Sequence, residues 1–250
     1  MNATYLRIDL VRQLRDGMYI SFVIALPVVM YVLFGTAFGA SADAVGRGDT
    51  RFYVMTAMAA YGASTAATSI AASAAMELLQ GWGRQLALTP LRPPGFVATK
   101  VVVALVVSAV GALAVTVVGA ATGARATEPW VWLVTFLVTW LGSSLFALYG
   151  LVIAQLFHSE SAIGVASASL VVWAFFGNLF VPLSGTVQQI ARWTPMYGYA
   201  GLARWPQMEG HSVTGTHVDP MWTLALNWVV WVAVFSVLAT WATRRGRARQ

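Results

Sequence analysis

Apolar residues in this chain fall into six long runs separated by short polar segments. The runs cover residues 20–38, 52–74, 96–118, 131–154, 162–180 and 221–242. Each is close to the roughly 20 residues that an apolar helix needs to cross the hydrocarbon layer of a bilayer. They are continuous rather than alternating, which excludes the short two-faced strands of a membrane β-barrel. The pattern predicts an all-α membrane protein with six transmembrane helices and both termini on one side.

Two polar-apolar segments outside the runs have helical spacing. From Thr4 to Met18, the residues Leu6, Leu10, Leu14 and Met18 recur every four positions with Val11 beside them, while Asp9, Arg12, Gln13, Arg15 and Asp16 fall largely opposite. This predicts an amphipathic helix over 1–18 that lies in the membrane interface and turns at Gly17 into the first span. Between the fifth and sixth runs, Pro182 and Gly185 stop the span. A semi-apolar stretch then carries Val187, Ile190, Trp193, Pro195, Met196, Tyr197, Tyr199, Leu202 and Trp205. It predicts an outer re-entrant helical hairpin, followed by true loop over 207–220.

The second run differs from the rest, being built from Ala, Ser, Thr and Gly. At helical spacing Met58, Tyr61, Thr65 and Ser69 share one face with Thr68 at its edge, and that face is either a helix interface or the wall of a pathway. The third run is Val- and Ala-rich and reads as lipid-facing scaffold, with Lys100 near enough to its inner end to snorkel. Segment 75–95 is a polar island between these two runs. Gly81 and Gly83 permit a sharp reversal, Trp82, Leu86 and Leu88 offer apolar knobs, and Pro90, Pro93 and Pro94 end the segment. A short rigid helix presented there suits a groove in a soluble partner.

Composition agrees: 58 % hydrophobic residues, 10 % charged ones and a mean hydropathy of +0.70 are more than a soluble domain of this size could cover. With the N-terminus cytoplasmic, ten of the fifteen Lys and Arg residues fall on the inner side, which obeys the positive-inside rule. That basic excess therefore meets anionic headgroups rather than nucleic acid. The preponderance of Arg over Lys, with abundant Ala, Val and Gly, is a bacterial composition.

Several chemistries are missing. There is no cysteine, hence no disulfide or thiol catalysis. No Gly-x-x-x-x-Gly-Lys-[Ser/Thr] segment exists to cradle nucleotide phosphates, and no His-Glu-x-x-His; the three histidines lie in predicted loops, so no metal site is expected. No acidic residue falls inside a predicted span core, which argues against an ion-driven pump. Uphill transport by such a chain needs a partner.

Glu77, Gly81, Leu86 and Pro90, followed by Leu91 and Lys100, are similar to the Glu…Gly…Leu…Pro cytoplasmic signature of the ABC-2 permeases, the membrane subunits of type-2 ABC transporters. The order of interfacial helix, six spans and Pro-rich outer hairpin, at 181–185 and 193–196, resembles that family along the whole chain. The resemblance implies a single domain over 1–250, two copies of a P-loop ATPase partner, and a second membrane subunit expected to be another copy of this chain. ATP and Mg would bind on the ATPase, and this chain would hold no cofactor and catalyse nothing itself. Glu77, Gly81, Trp82, Arg84, Leu86, Leu88 and Pro90 would contact the ATPase, with the N-terminal helix also touching it. The second and fifth helices would enclose a path implicating Met58, Tyr61, Thr65, Ser69, Phe175 and Asn178. The implied function is ATP-driven export of a hydrophobic or amphipathic substrate (drug, antibiotic or lipid-like) across a bacterial cytoplasmic membrane. The alternative is a non-transporting membrane scaffold or assembly factor that uses the island as a docking surface.

Overall fold

The computed structural model describes residues 3–38, 43–79, 93–157, 161–213 and 217–248. The amphipathic segment forms α1 (Ala3–Arg15), and after Asp16 the chain enters α2 (Gly17–Phe38). A two-residue antiparallel pair, β1 (Ala44–Val45) with β2 (Gly48–Asp49), turns it into α3 (Thr50–Ala72), which is interrupted at Ser73 and continued by α4 (Ala74–Leu79). Then come α5 (Pro93–Ala121), α6 (Pro129–Gly142), α7 (Ser144–Leu156) and α8 (Ser161–Phe176). A pair of short helices, α9 (Gly185–Ala191) and α10 (Pro195–Met208), precedes α11 (Met221–Ala248).

Among the described residues, four stretches are long and apolar enough to cross a membrane: Gly17–Gly35, Pro94–Ala121, Pro129–Leu156 and Met221–Thr243. The third of these joins α6 to α7 through Ser143, whose hydroxyl donates to the Trp140 carbonyl at 2.6 Å. Such a back-bond competes with the helix ladder and locally interrupts it. Helix α8 is apolar but has only 16 residues.

Helix α3 has the length to cross, 23 residues, but packs inside protein rather than against lipid, with seventeen of those residues buried. It touches α2, α5, α6, α7, α8 and α10. Its Ala, Ser and Gly residues let those neighbours approach closely, which is the usual use of small side chains between membrane helices. At Gly150 of α7, a Cβ would stand 2.4 Å from the Thr68 carbonyl oxygen, and Thr68 donates to the Phe146 carbonyl at 3.1 Å. The two backbones are in contact there.

Helix α5 is lipid-facing on one side only, not all round as its bland Val and Ala composition suggests. Val103, Ala104, Val107, Ala112 and Val115 are fully buried on one side, while Leu113 and Val117 are exposed on the other. Composition alone does not distinguish burial in lipid from burial against α3, because both reward the same residues.

At the end of the bundle away from α1, the β1–β2 turn works as a clasp. Gln207 donates to the carbonyls of Val45 (2.9 Å) and Asp49 (3.1 Å), and its own carbonyl accepts from Arg47 N at 2.8 Å. The Arg47 side chain pairs with Glu209 and, at 3.6 Å, with Glu128. Gln207, expected at the start of a loop, is instead 1 % exposed in the last turn of α10. Eleven of the 14 residues of α10 are buried, and the Tyr199 hydroxyl donates to the Thr139 carbonyl at 2.7 Å. The aromatic and small residues of this segment thus fill space between α3, α6, α8 and α11.

Candidate functional site

Two places collect the residues singled out from sequence. The first is a charge cluster where α1, α4 and α5 meet. Lys100, in the second turn of α5, is 0 % exposed and does not snorkel; its ammonium donates to Asp9 at 2.8 Å and to Glu77 at 2.6 Å. Arg12, one turn after Asp9 on α1, bonds Asp9 at 3.0 Å and also pairs with Glu77. Two cations and two carboxylates therefore balance, as buried charges must to be tolerated. The aromatic rings of Tyr5 and Phe96 flank the Lys100 ammonium at 6.0 Å.

This arrangement departs from the expected face of α1 at one residue. Asp9, placed on its solvated side by spacing, is buried, while Leu6 and Leu10 of the apolar stripe pack against the core and Leu14 is exposed. A four-residue period describes a stripe and says nothing of an ion pair supplied by another helix. The cluster also perturbs its neighbours. Burial, then Glu77 and Asp9, push the Tyr5 phenol above its ordinary pKa. Burial works against the Arg12 cation, but Glu77 and Asp9 outweigh it and hold the guanidinium pKa above its usual value.

Glu77 is thus the one residue of the expected coupling set that the structure describes, 8 % exposed and fully engaged. Gly81, Trp82, Arg84, Leu86, Leu88 and Pro90 lie outside the described residues. The flanks of their segment are described, and the Glu77–Lys100 pair joins one flank to the other.

The second place is a cleft of about 280 Å³ between α2, α3 and α8. Tyr61, Thr65 and Ser69 line it from α3, Phe22 and Pro27 from α2, and Ser167 and Val171 from α8. A Cβ at Gly62 would stand 2.7 Å from the Pro27 ring, so only glycine lets α2 lie this close to α3. The Thr65 hydroxyl donates to the Tyr61 carbonyl at 2.8 Å, so it offers the cleft an acceptor and a methyl group rather than a free proton. The walls are mainly apolar, with the hydroxyls of Tyr61, Thr65, Ser69 and Ser167 among their sparse hydrogen-bonding groups.

The remaining path candidates are arranged differently. Met58 is 1 % exposed and belongs to the core. Asn178 has a left-handed backbone, with φ of 60°, and its side-chain oxygen accepts from Leu183 N at 2.7 Å, so it shapes the turn after α8. Phe175 is exposed and packs edge-on against Phe180, with ring centroids 5.2 Å apart; Phe180 in turn meets Tyr61 at 5.1 Å and Phe34 at 6.1 Å. Phe180 is the hub that joins the Phe175 and Tyr61 candidates, and nothing in its spacing marks it out. Among the described residues no group of three His, Asp or Glu side chains is placed to hold a metal ion.

Residues 3–203 match the family model for the ABC-2 type transporter. No curated protein matches the chain. The matched residues run from the first residue of α1 into α10 and contain the ion cluster, the cleft and three of the four long apolar stretches. A permease domain of this kind is a transmembrane subunit without catalytic activity of its own. The chain belongs to the ABC-2 type transporter family, as a multi-pass membrane permease component, and that membership implies partnership with an ABC ATPase.

Proposed function

We propose that this chain is the permease of an ATP-driven exporter for a hydrophobic or amphipathic substrate, drug-, antibiotic- or lipid-like, in a bacterial plasma membrane. Six helices cross the bilayer, α3 and α8 included, with both termini cytoplasmic and α9–α10 forming a re-entrant hairpin from the outer side. Two copies of the chain pair with two P-loop ATPases, which hold ATP and Mg²⁺, and segment 75–95 is the coupling element of one domain spanning 1–250. Alternating access at the α3–α8 cleft moves the cargo.

The observation that carries this reading is the buried Lys100–Glu77 pair and its extension to Asp9 and Arg12. Both flanks of segment 80–92 are tied to each other and to α1 by charge-assisted bonds. Displacement of that segment must then move α3–α4, α5 and α1 together, because separating the charges would leave them unpaired in a dry site. A linkage of this stiffness suits a point where mechanical work enters. The cleft supports the cargo class: apolar walls with few acceptors give little to a polysaccharide and much to an apolar molecule.

The test is co-purification of the detergent-solubilised chain with its P-loop ATPase, followed by ATP hydrolysis with candidate lipophilic cargo. Trp82→Ala or Leu86→Ala should abolish cargo-stimulated hydrolysis while the permease stays folded. An ATPase that never associates, or hydrolysis indifferent to every cargo and to both substitutions, would favour a non-transporting scaffold.

A further inference from the structure

Arg204 is a buried cation without a counter-ion among the described residues. It sits on α10 and is 7 % exposed. One terminal nitrogen donates to the Tyr53 hydroxyl at 2.5 Å, the other to the Gly177 carbonyl at 2.8 Å, and the guanidinium lies 5.0 Å over the Tyr53 ring. Its Nε–H is buried and has no partner.

An inventory of acids explains why this matters. The chain has nine Asp and Glu residues. Asp9 and Glu77 are held by Lys100 and Arg12, Glu128 and Glu209 by Arg47, and Asp219 by Arg192 and His217. Asp16 and Asp49 accept from the backbone N–H groups of Tyr19 and Phe52 at helix starts. Asp43 is exposed, and Glu160 lies outside the described residues. No carboxylate is within ion-pair distance of Arg204 among the described residues. The carbonyl of Gly177, just past the C-terminus of α8, supplies part of the balance, since a helix end carries roughly half a negative charge. The remainder of the cation is uncompensated, and an unpaired buried charge is costly.

Beside this cation is a cavity of about 50 Å³, lined by Arg204, Tyr53, Asn178, Tyr197, His217 and Asp219 among others. A water needs roughly 10–15 Å³ of such space, so this cavity holds a few waters or one tetrahedral oxyanion group, and any organic moiety attached to that group must lie outside it. Asp219 is the one acid on its wall, and its charge is already matched: Arg192 is at 3.0 Å, His217 at 3.0 Å, and the Tyr197 hydroxyl also donates to it. His211 also lines it. The surplus charge is therefore positive.

We infer that this cavity, between α10, the turn after α8 and the segment before α11, is a binding site for a phosphate-type oxyanion, either free phosphate or the phosphate of an anionic lipid headgroup. Arg204 supplies the charge and the N–H bonds of its terminal nitrogens that Tyr53 and Gly177 leave unused; Tyr53, whose oxygen accepts from Arg204, keeps its own proton to donate. Guanidinium is the side chain best matched to such an ion in charge and fork geometry. The inference is independent of what the permease transports.

The test is thermal unfolding of the full chain in phosphate-free maltoside micelles at constant ionic strength. One arm titrates inorganic phosphate; the other compares added phosphatidylglycerol with diacylglycerol of the same acyl chains. A saturable rise of about 3–6 °C at ten times the half-saturating concentration is expected in at least one arm. Response to phosphate identifies a free-ion site, and response to phosphatidylglycerol alone a headgroup site. Arg204→Gln should abolish the response, and Tyr53→Phe should move half-saturation to about tenfold higher concentration. If Arg204→Gln does not fold, Tyr53→Phe decides by itself. A wild type indifferent to both ligands, or a response unaltered in the variant that decides, overturns the site.

Discussion

Lys100 donates to Glu77 across 2.6 Å inside the protein, and the two residues stand 23 positions apart on either side of segment 80–92. Removing one partner strands charge in a dry site, so Lys100→Met leaves Asp9 and Glu77 facing only the half-exposed Arg12 and should cost about 3–5 kcal/mol. Lys100→Met combined with Glu77→Leu should cost clearly less than the sum of the two single changes, because Asp9 then keeps Arg12. Thermal unfolding of the four proteins in one detergent gives the coupling directly. Strict additivity would mean that the pair contributes nothing as a pair. Glu77→Ala is for the same reason a poor probe of coupling alone, since it disturbs folding as well.

Contact between α3 and α7 makes a second measurable claim. Gly150→Ala places a methyl 2.4 Å from the Thr68 carbonyl oxygen, so one helix must move. Overpacking of that kind costs about 1–3 kcal/mol. Thr68→Val removes only the bond to the Phe146 carbonyl and should cost about 0.6 kcal/mol, the average for hydrogen bonds between membrane helices. A Gly150→Ala protein as stable as the parent would show that the two helices are not held this tightly.

These two sites also mark what was legible in the chain. Run lengths and polarity located α2, α5, the α6–α7 unit and α11, because crossing a bilayer constrains composition over about 20 residues. The small residues of the second run left open whether its face packs or lines a path; Gly62 of that run meets the Pro27 ring, and Gly150 of the fourth run meets the Thr68 carbonyl. What spacing did not reveal depends on partners distant in sequence. Asp9 looks solvated until Lys100, 91 positions away, is placed against it. Phe180 looks like the end of a span until Tyr61, Phe34 and Phe175 surround it. Arg204 counts as one more outer charge until its burial is seen.

The charge cluster carries a pH signature through Tyr5. Its phenol is pushed above the ordinary value of 10.0 by burial first, then by Glu77 and Asp9, with Arg12 partly opposing. A group with a raised folded-state pKa contributes stability that is fully present below its unfolded pKa and lost as pH rises above it. Stability of the parent should therefore decline from about pH 10 upward, and Tyr5→Phe should flatten that decline. Thermal unfolding of both proteins between about pH 8 and pH 11 tests this. Identical slopes would place the alkaline sensitivity elsewhere, in one of the other buried tyrosines.

The cleft is where the transport reading can be separated from a merely structural one. Ser69 lines this space of about 280 Å³, so Ser69→Phe should fill much of it at the cost of the side-chain hydrogen bond between Ser69 and Tyr19. Cargo competing with a covalently attached ring should bind about tenfold more weakly or worse, the equivalent of roughly 1.4 kcal/mol. Cargo-stimulated ATP hydrolysis by the assembled transporter should fall accordingly, while stability falls by no more than the about 0.6 kcal/mol of one hydrogen bond between membrane helices. Leu113→Phe, on the exposed face of α5, adds the same ring away from the cleft and should change neither quantity. Export by Ser69→Phe at the parental rate would remove the cleft from the path. A larger loss of stability together with the fall in activity would instead assign Ser69 to packing.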